Sequence, residues 1–308
     1  MKHAACVNFK NHKPIVIENN EFVVVHNDID EEKQDALDIP QKASLIMLNF
    51  PNVKWMQWAK ANFPQANIAL ITDQGMHQYH RLLGVKNWEL CDHIFHNNNF
   101  LTVKLINATV NKLVNKNIFG IKDYLGKDEK IFHLELSESS GRREVNDEVF
   151  KILTKSCGVH DQHAKNLKAI CEELLTNAVY DAPISSGMFS PEEHGKEISF
   201  NDKKVKITLG IDANQILLSV EDPFGSFTKS VFFHYIQKIL KHRQKEDLLD
   251  HKIGGAGVGL LKILFYSQAM TVSVHHNQRT EVTAILDRKN PAPNFDKFPR
   301  SFSYFYKE

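Results

Sequence analysis

The sequence lacks the features that mark a secreted, membrane-spanning or nucleic-acid-binding protein. Its four cysteines are scattered and form no CxxC pair, which indicates reduced thiols rather than a zinc site. No apolar run approaches the ~20 residues that a membrane helix needs, and residues 1–11 lack the apolar core of a signal peptide. The formal net charge of +1 gives no sign of a nucleic-acid or membrane surface. These absences predict a cytoplasmic protein.

A chain of 308 residues with 42% hydrophobic residues is long enough for two domains. In its first third, short apolar runs predict strands at PIVIE (14–18), FVVVH (22–26), SLIMLNF (44–50), NIALITD (67–73) and DHIFHN (92–97). Helical patterns lie between or after them, at 53–64, 76–85 and 101–114. Apolar strands that alternate with helices predict a parallel sheet covered on both faces.

A second pattern begins after a glycine-containing, charge-rich stretch, so we place the domain joint near Gly126 and expect domains at 1–126 and 127–308. The second domain should contain strands at 131–136, 204–212, 215–222, 270–276 and 280–287. Helices are predicted at 143–156, 165–181 and 229–250, with a loop over 183–197. The expected fold class is α/β.

The helical stretch EELLTNAVYDA carries Glu173, Asn177 and Asp181 at four-residue spacing. Side chains four apart lie on one face of a helix, so they can reach one small volume. A carboxylate can accept a proton from an attacking hydroxyl, and an amide oxygen suits Mg²⁺. The alternative is an exposed polar stripe on a core helix.

Two further segments are candidate parts of a site. In SVEDPFGSF an apolar strand ends at Asp222, whose carboxylate could accept a hydrogen bond from an exocyclic amine; a plain Pro/Gly turn is the alternative. In GGAGVGLLKILF (254–265) glycines precede an apolar helix, where backbone N–H groups can approach an anion. No Lys-Ser/Thr follows, so it is not a Walker loop, and tight packing is the alternative.

The order of these segments resembles the histidine kinase-like (GHKL) ATP-binding domain, shared by histidine kinases, gyrase-type and Hsp90-type ATPases and anti-sigma serine kinases. The likeness covers roughly residues 127–290, and the spelling E-x-x-x-N at Glu173 and Asn177 looks most like the anti-sigma kinases. It implies a two-layer α/β sandwich of the Bergerat type that binds ATP with Mg²⁺. The implied roles are Asn177 on Mg²⁺, Glu173 as general base, Asp222 on the adenine amine, and Gly255, Gly257 and Gly259 around the phosphates. Further nucleotide-binding positions implied by the likeness are Asp181, Gly225, Val258, Leu260 and Thr280.

The sequence departs from the family where the first glycine box normally reads D-x-G-x-G. Phe224 and Ser226 occupy the two glycine positions, with Gly225 between them. The resemblance implies a serine/threonine protein kinase that acts on a protein partner, as in anti-sigma partner switching. The altered glycine box leaves open a non-catalytic, ATP-dependent interaction switch. The sequence also leaves open whether the chain forms a homodimer and whether Lys252 or His251, in the charged 229–253 segment, reaches the γ-phosphate.

The first domain resembles a response-regulator receiver, a parallel α/β fold. In that family an Asp ends the third strand, a Ser/Thr the fourth and a Lys the fifth; here the positions fall on Asn49, Thr72 and His96. The acidic pair after the first strand is matched only by Asp28 and Asp30. Because an amide cannot form an acyl phosphate, we expect a degenerate receiver-like module for protein contacts or sensing. An unrelated small α/β domain is the alternative.

Overall fold

The computed structural model describes residues 4–9, 23–29, 37, 39–49, 53–73, 83, 87–97, 100–200, 203–241, 258–289 and 300–308. The chain divides into two compact units. The first comprises Met1–Ile118 with Pro299–Ser303, and the second comprises Phe119–Phe298 with Tyr304–Glu308. Both contain helices and strands, so the predicted α/β class is confirmed.

The first unit is built on a parallel sheet. Its strands are β1 (Ala4–Phe9), β2 (Val23–Ile29), β3 (Leu45–Asn49), β4 (Asn67–Thr72) and β5 (His93–His96), and its helices include α1 (Val53–Asn62) and α2 (Phe100–Val114). The strand order is β2-β1-β3-β4-β5, and each neighbouring pair is parallel. This is the order of the flavodoxin-like doubly wound sheet. Residues Phe302 and Ser303 pair antiparallel with β5.

The sequence patterns place most strands of this unit correctly but miss β1. Its segment AACVNF is fully buried over Ala4–Asn8, yet it contains few β-branched residues, so composition did not mark it as a strand. The strand predicted at 14–18 lies outside the described residues. The helix predicted at 76–85 does too, except for Leu83. The predicted parallel arrangement is confirmed.

The second unit has an antiparallel sheet. Its strands include β6 (Lys130–Leu136), β7 (Val205–Ile211), β8 (Gln215–Asp222), β9 (Ala269–His275) and β10 (Arg279–Asp287). Their order is β9-β10-β8-β7-β6. The helices are α3 (Arg142–Lys151), α4 (Asp161–Thr176), α5 (Ala182–Ser185), α6 (Lys229–Lys241) and α7 (Val258–Tyr266). A last strand, β11 (Ser301–Lys307), was not predicted; Phe302 and Ser303 belong to it.

One face of the second sheet lies against the helices. Helix α4 packs on α3, on α7 and on β8. Because side chains alternate along a strand, Val220 and Asp222 of β8 face these helices together with Thr280 and Val282 of β10. The strand ends are thereby brought beneath α4 and its continuation.

The opposite face of this sheet is covered by residues 119–125, which lie in the stretch where the sequence predicts the domain joint. Tyr124 is 2% exposed, and its backbone carbonyl accepts a hydrogen bond from the side chain of Gln215. The backbone N–H of Gly120 donates to both carboxylate oxygens of Glu281, each at 3.0 Å. The first compact unit covers Met1–Ile118 with Pro299–Ser303, and the domain joint near Gly126 stays a prediction.

The described residues include no helix with the length and apolar character needed to cross a bilayer. All four cysteines are free thiols. Burial raises the pKa of Cys6 and of Cys171 to about 12. These two thiols are therefore poor nucleophiles at neutral pH.

We expect Gly210→Ala to destabilise the second unit by about 1–3 kcal/mol, because the added methyl group overpacks a filled space. Its Cβ would lie 2.5 Å from Cδ1 of Ile121 and 2.8 Å from Cδ1 of Leu125. Urea denaturation measures the change. Ile121→Val removes one of the two colliding atoms, so the double variant should recover part of the lost stability. If Gly210→Ala left the free energy of unfolding unchanged, Ile121 and Leu125 would not pack on β7.

Candidate functional site

The polar face predicted around residue 177 lies where a regular helix ends. Helix α4 is capped by His160, whose Nδ1 accepts a hydrogen bond from the N–H of Gln162 at 3.2 Å. Residues Asn177–Asp181 then form a π-helical turn that leads into α5. Pro183 accounts for the change, since it has no N–H to donate to the carbonyl four residues earlier. The prediction that the helix ends before Pro183 is therefore wrong, because the helix continues through that residue. Single π-helical turns are frequent at functional sites.

A cavity of about 410 Å³ lies between this helical segment and the sheet. Its polar lining residues are Asn177, Asp181, Ser185, Asp222, Ser226 and Thr280. Its apolar or aromatic lining residues are Leu174, Ala178, Ala182, Val220, Phe227, Val231, Tyr235, Leu260, Ile263 and Val282. The structure therefore brings Asn177, Asp181, Asp222, Leu260 and Thr280, five of the predicted site residues, to one cavity.

Asp222 and Thr280 form a buried polar pair on the sheet side of the cavity. They are direct partners across the β8–β10 ladder and are 7% and 1% exposed. Burial raises the pKa of Asp222 to about 7, although the N–H groups of Phe224 and Gly225 and the nearby Thr280 hydroxyl act in the opposite direction. The Phe224 N–H lies 2.9 Å from Oδ1 of Asp222. A carboxyl group with a pKa near neutrality can be ionised at physiological pH and accept a hydrogen bond from a ligand.

Gly225 turns the chain after Asp222 without lining the cavity. Its φ of +64° lies in the left-handed region, and an added Cβ would be 2.2 Å from the carbonyl oxygen of His275. Its own carbonyl accepts the N–H of Asn277 at 3.2 Å. Glycine is therefore required here by the contact with the β9–β10 turn. Phe224 packs edge-on against Phe200 and is not among the cavity residues, so it does not block the cavity.

Glu173 lies about one helical turn before Asn177 and outside the cavity lining. Its carboxylate makes an ion pair with Lys262 of α7. Gly259 lies against the same carboxylate, since a Cβ added there would be 2.6 Å from Oε2 of Glu173. Glu173, the predicted general base, thus lies in the contact between α4 and α7. Lys262 is a residue that the sequence analysis did not single out.

The glycine run is only partly described. Gly255 and Gly257, predicted to surround the phosphates, lie outside the described residues, as do Lys252 and His251. Val258 is the first residue of α7, and Leu260 is buried in the cavity wall. Of the predicted glycine loop, the structure therefore describes Gly259 and the helix to which it belongs.

Asp181 has neighbours that the sequence did not indicate. His194, from the predicted loop, lies 3.3 Å from its carboxylate, between Nε2 and Oδ1. Burial raises the pKa of Asp181, and the nearby His194 counteracts this. Tyr235 lines the cavity from α6, where Val231 and Tyr235 share one face at four-residue spacing. The carboxylate of Asp181 and the amide oxygen of Asn177 are hard donors of the kind that Mg²⁺ prefers.

The carboxyl edge of the first unit's parallel sheet has an amide, Asn49, where the resemblance places the phosphoacceptor aspartate. Nδ2 of Asn49 donates to Oδ1 of Asn8 at 2.8 Å, and both side chains are buried. Thr72 ends β4 and is also buried. His96 ends β5, and burial lowers its pKa, partly offset by Asp73. Asp28 lies on β2, and Asp30 lies outside the described residues.

Comparison with protein-family models gives no match, and comparison with curated proteins gives none either. Among solved structures, this chain is similar to a chain of the SiaB–SiaC complex from Pseudomonas aeruginosa, with 17% sequence identity. The match covers 51% of this chain and 88% of that chain, with a TM-score of 0.35. A TM-score this low does not establish a shared fold.

Asp222→Asn should flatten the pH dependence of stability. The raised pKa means that Asp222 contributes stability below its ordinary value of 3.8, and that this contribution is lost as the pH rises through about 7. Between about pH 4 and about pH 8 the variant should gain on the order of 2–4 kcal/mol relative to wild type, as buried-carboxyl linkage predicts.

The measurement is the free energy of unfolding from urea titrations at each pH. Asp147→Asn, which changes an exposed acid on α3, is the matched control. A difference between Asp222→Asn and wild type that does not vary with pH would contradict the buried, near-neutral carboxyl.

Proposed function

We propose that the second unit binds Mg·ATP and acts as a serine/threonine protein kinase of the anti-sigma partner-switching type. The observation that carries the proposal is the convergence of Asn177, Asp181, Asp222 and Thr280, from a helix and two strands, on one cavity of about 410 Å³. Four polar side chains in a largely apolar pocket are typical of a site that orients a small ligand. The arrangement supports the roles that the family resemblance assigns to these residues.

The adenine ring would lie against the sheet side of the cavity. Asp222 would accept a hydrogen bond from the exocyclic amine, with Thr280 beside it on the neighbouring strand. Apolar walls such as Val220 and Ile263 suit the faces of a purine. The ionised carboxylate of Asp222 is the stronger acceptor, so adenine binding should strengthen as the pH rises through about 7.

The helical side of the cavity would hold the metal and the phosphates. Asn177 offers an amide oxygen to Mg²⁺, and Asp181 lies beside it on the same π-turn. A bound Mg²⁺ would neutralise charge on the phosphate oxygens. The N-terminus of α7 would contribute backbone N–H groups and a favourable dipole.

Transfer to a partner would use a serine or threonine hydroxyl as nucleophile. Its oxygen would bond to the γ-phosphorus while the bond from that phosphorus to the β–γ bridging oxygen breaks, and ADP would leave with the bonding pair. The hydroxyl proton would pass to the carboxylate of Glu173. Phosphoryl transfer depends mainly on positioning and charge neutralisation, which Asn177 and the start of α7 would supply.

A second candidate is a non-catalytic switch, in which ATP alters the surface offered to a partner without transfer. The ion pair between Glu173 and Lys262 favours it, because the carboxylate must leave the ammonium before it can take the hydroxyl proton. The altered first glycine box also favours it, since Gly225 is committed to the β9–β10 turn.

For the first unit we propose a receiver-like module for protein contacts that is not phosphorylated on aspartate. Its strand order and parallel pairing are those of the flavodoxin-like fold. The hydrogen-bonded amides of Asn8 and Asn49 occupy the carboxyl edge of the sheet, where a phosphoacceptor and its metal would need carboxylates.

Isothermal titration should show binding of Mg·ATP in the micromolar to millimolar range. Asn177→Ala should weaken Mg·ATP binding by roughly tenfold, since it removes a metal ligand, while adenosine binding stays unchanged. Gln162→Ala, which removes an amide from the exposed start of the same helix, is the control and should bind as wild type. No heat with Mg·ATP at millimolar concentration would refute nucleotide binding.

Incubation with labelled ATP and candidate partner proteins separates the kinase from the switch. The kinase should label a partner serine or threonine, and Glu173→Ala should reduce the rate by about 10²–10³-fold, the usual contribution of a positioned base. Binding of ATP without label transfer, in wild type and variant alike, would select the switch.

A further inference from the structure

The contact between α4 and α7 joins two opposite charges, each next in sequence to a residue that lines the cavity. The carboxylate of Glu173 accepts a hydrogen bond from the ammonium of Lys262, and their side chains are 18% and 46% exposed. Lys262 lies between Leu260 and Ile263, which both line the cavity. Neither charged side chain lines the cavity itself, and the Lys262 ammonium remains partly open to solvent.

Gly259 fixes how closely the carboxylate approaches α7. An added Cβ would lie 2.6 Å from Oε2, 3.5 Å from Cδ and 3.6 Å from Cβ of Glu173. One carboxylate oxygen thus lies against the helix backbone, and the other is paired with Lys262. The glycine permits a contact that any larger residue would push apart.

The charges of the cavity itself are unfavourable for a triphosphate. Asp181 and Asp222 line it, and none of its described lining residues is a lysine or arginine. A polyanionic ligand needs compensating cations. Lys262 of α7, next in sequence to the lining residue Ile263, is a cation, but in the structure it is paired with Glu173.

We propose that Lys262 is a phosphate-positioning residue that exchanges between Glu173 and the phosphates of the bound nucleotide. This inference rests on the proposed nucleotide binding. The carboxylate and the triphosphate compete for the same ammonium, so phosphate binding releases Glu173 from its ion pair. Nucleotide binding is thereby coupled to release of the Glu173 carboxylate from Lys262. Glu173 is then paired in the free protein and available as a base once the nucleotide is bound.

The test compares the affinities of Mg·ATP and adenosine in wild type, Lys262→Met, Glu173→Gln and the double variant. Lys262→Met should weaken Mg·ATP by about tenfold, as expected for one partly exposed charge-assisted hydrogen bond, and leave adenosine unchanged. Glu173→Gln should tighten Mg·ATP several-fold because the competitor is removed, and this gain should vanish in the double variant. Lys262→Arg should retain the preference for ATP. Lys204→Met breaks an exposed ion pair with Glu135 elsewhere in the unit and is the control.

The outcomes are distinct. If wild type binds neither ligand, the proposed function fails and this inference falls with it. If wild type binds both but Lys262→Met weakens them equally, or if the effects of Lys262→Met and Glu173→Gln on Mg·ATP are independent, the exchange is refuted while nucleotide binding stands. Unchanged adenosine affinity in each variant shows that the cavity is folded.

Discussion

The register between β8 and β10 is the constraint on which the candidate site depends. It sets Asp222 directly opposite Thr280 at the end of the ladder, on the face that meets the helices. A desolvated carboxyl is costly unless it is hydrogen-bonded, and here the turn after β8 supplies backbone N–H groups to it. That turn requires the left-handed Gly225 and its contact with the β9–β10 turn. The raised pKa of Asp222 therefore depends both on the β8–β10 register and on the conformation of the turn at Gly225.

The second determinant is the close packing of α4 on α7. Read as sequence, a glycine before an apolar helix points to an anion. The structure gives Gly259 a further reason, because it makes room for the carboxylate of Glu173. The same contact pairs Glu173 with Lys262, so the residue that the family resemblance makes a base also serves as a structural partner. In our proposal this ion pair opens when the phosphates of the nucleotide compete with the Glu173 carboxylate for the Lys262 ammonium.

Sequence patterns found most of the elements that carry the site but not all of the fold. The strands and the α4 helix follow from apolar runs and helical periodicity, and the ends of β8 and β10 were located closely enough to name Asp222 and Thr280. β1 was missed because a short buried strand of small residues has no distinctive composition. Residues 117–130 looked like a linker because their two glycines and charge-rich end are conspicuous, while the buried contacts of Tyr124 and Ile121 depend on a sheet far along the chain.

The sequence by itself determined the α/β class, the spacing of Asn177 and Asp181 along one helical segment, and the absence of an aspartate at position 49. These are local properties, set by periodicity and residue identity. Only the tertiary structure decided that Glu173 pairs with Lys262, that Gly225 serves a turn, and that Asp222 is desolvated enough to titrate near neutrality. Such features arise from contacts between residues distant in the chain, and neither hydrophobic pattern nor propensity contains that information.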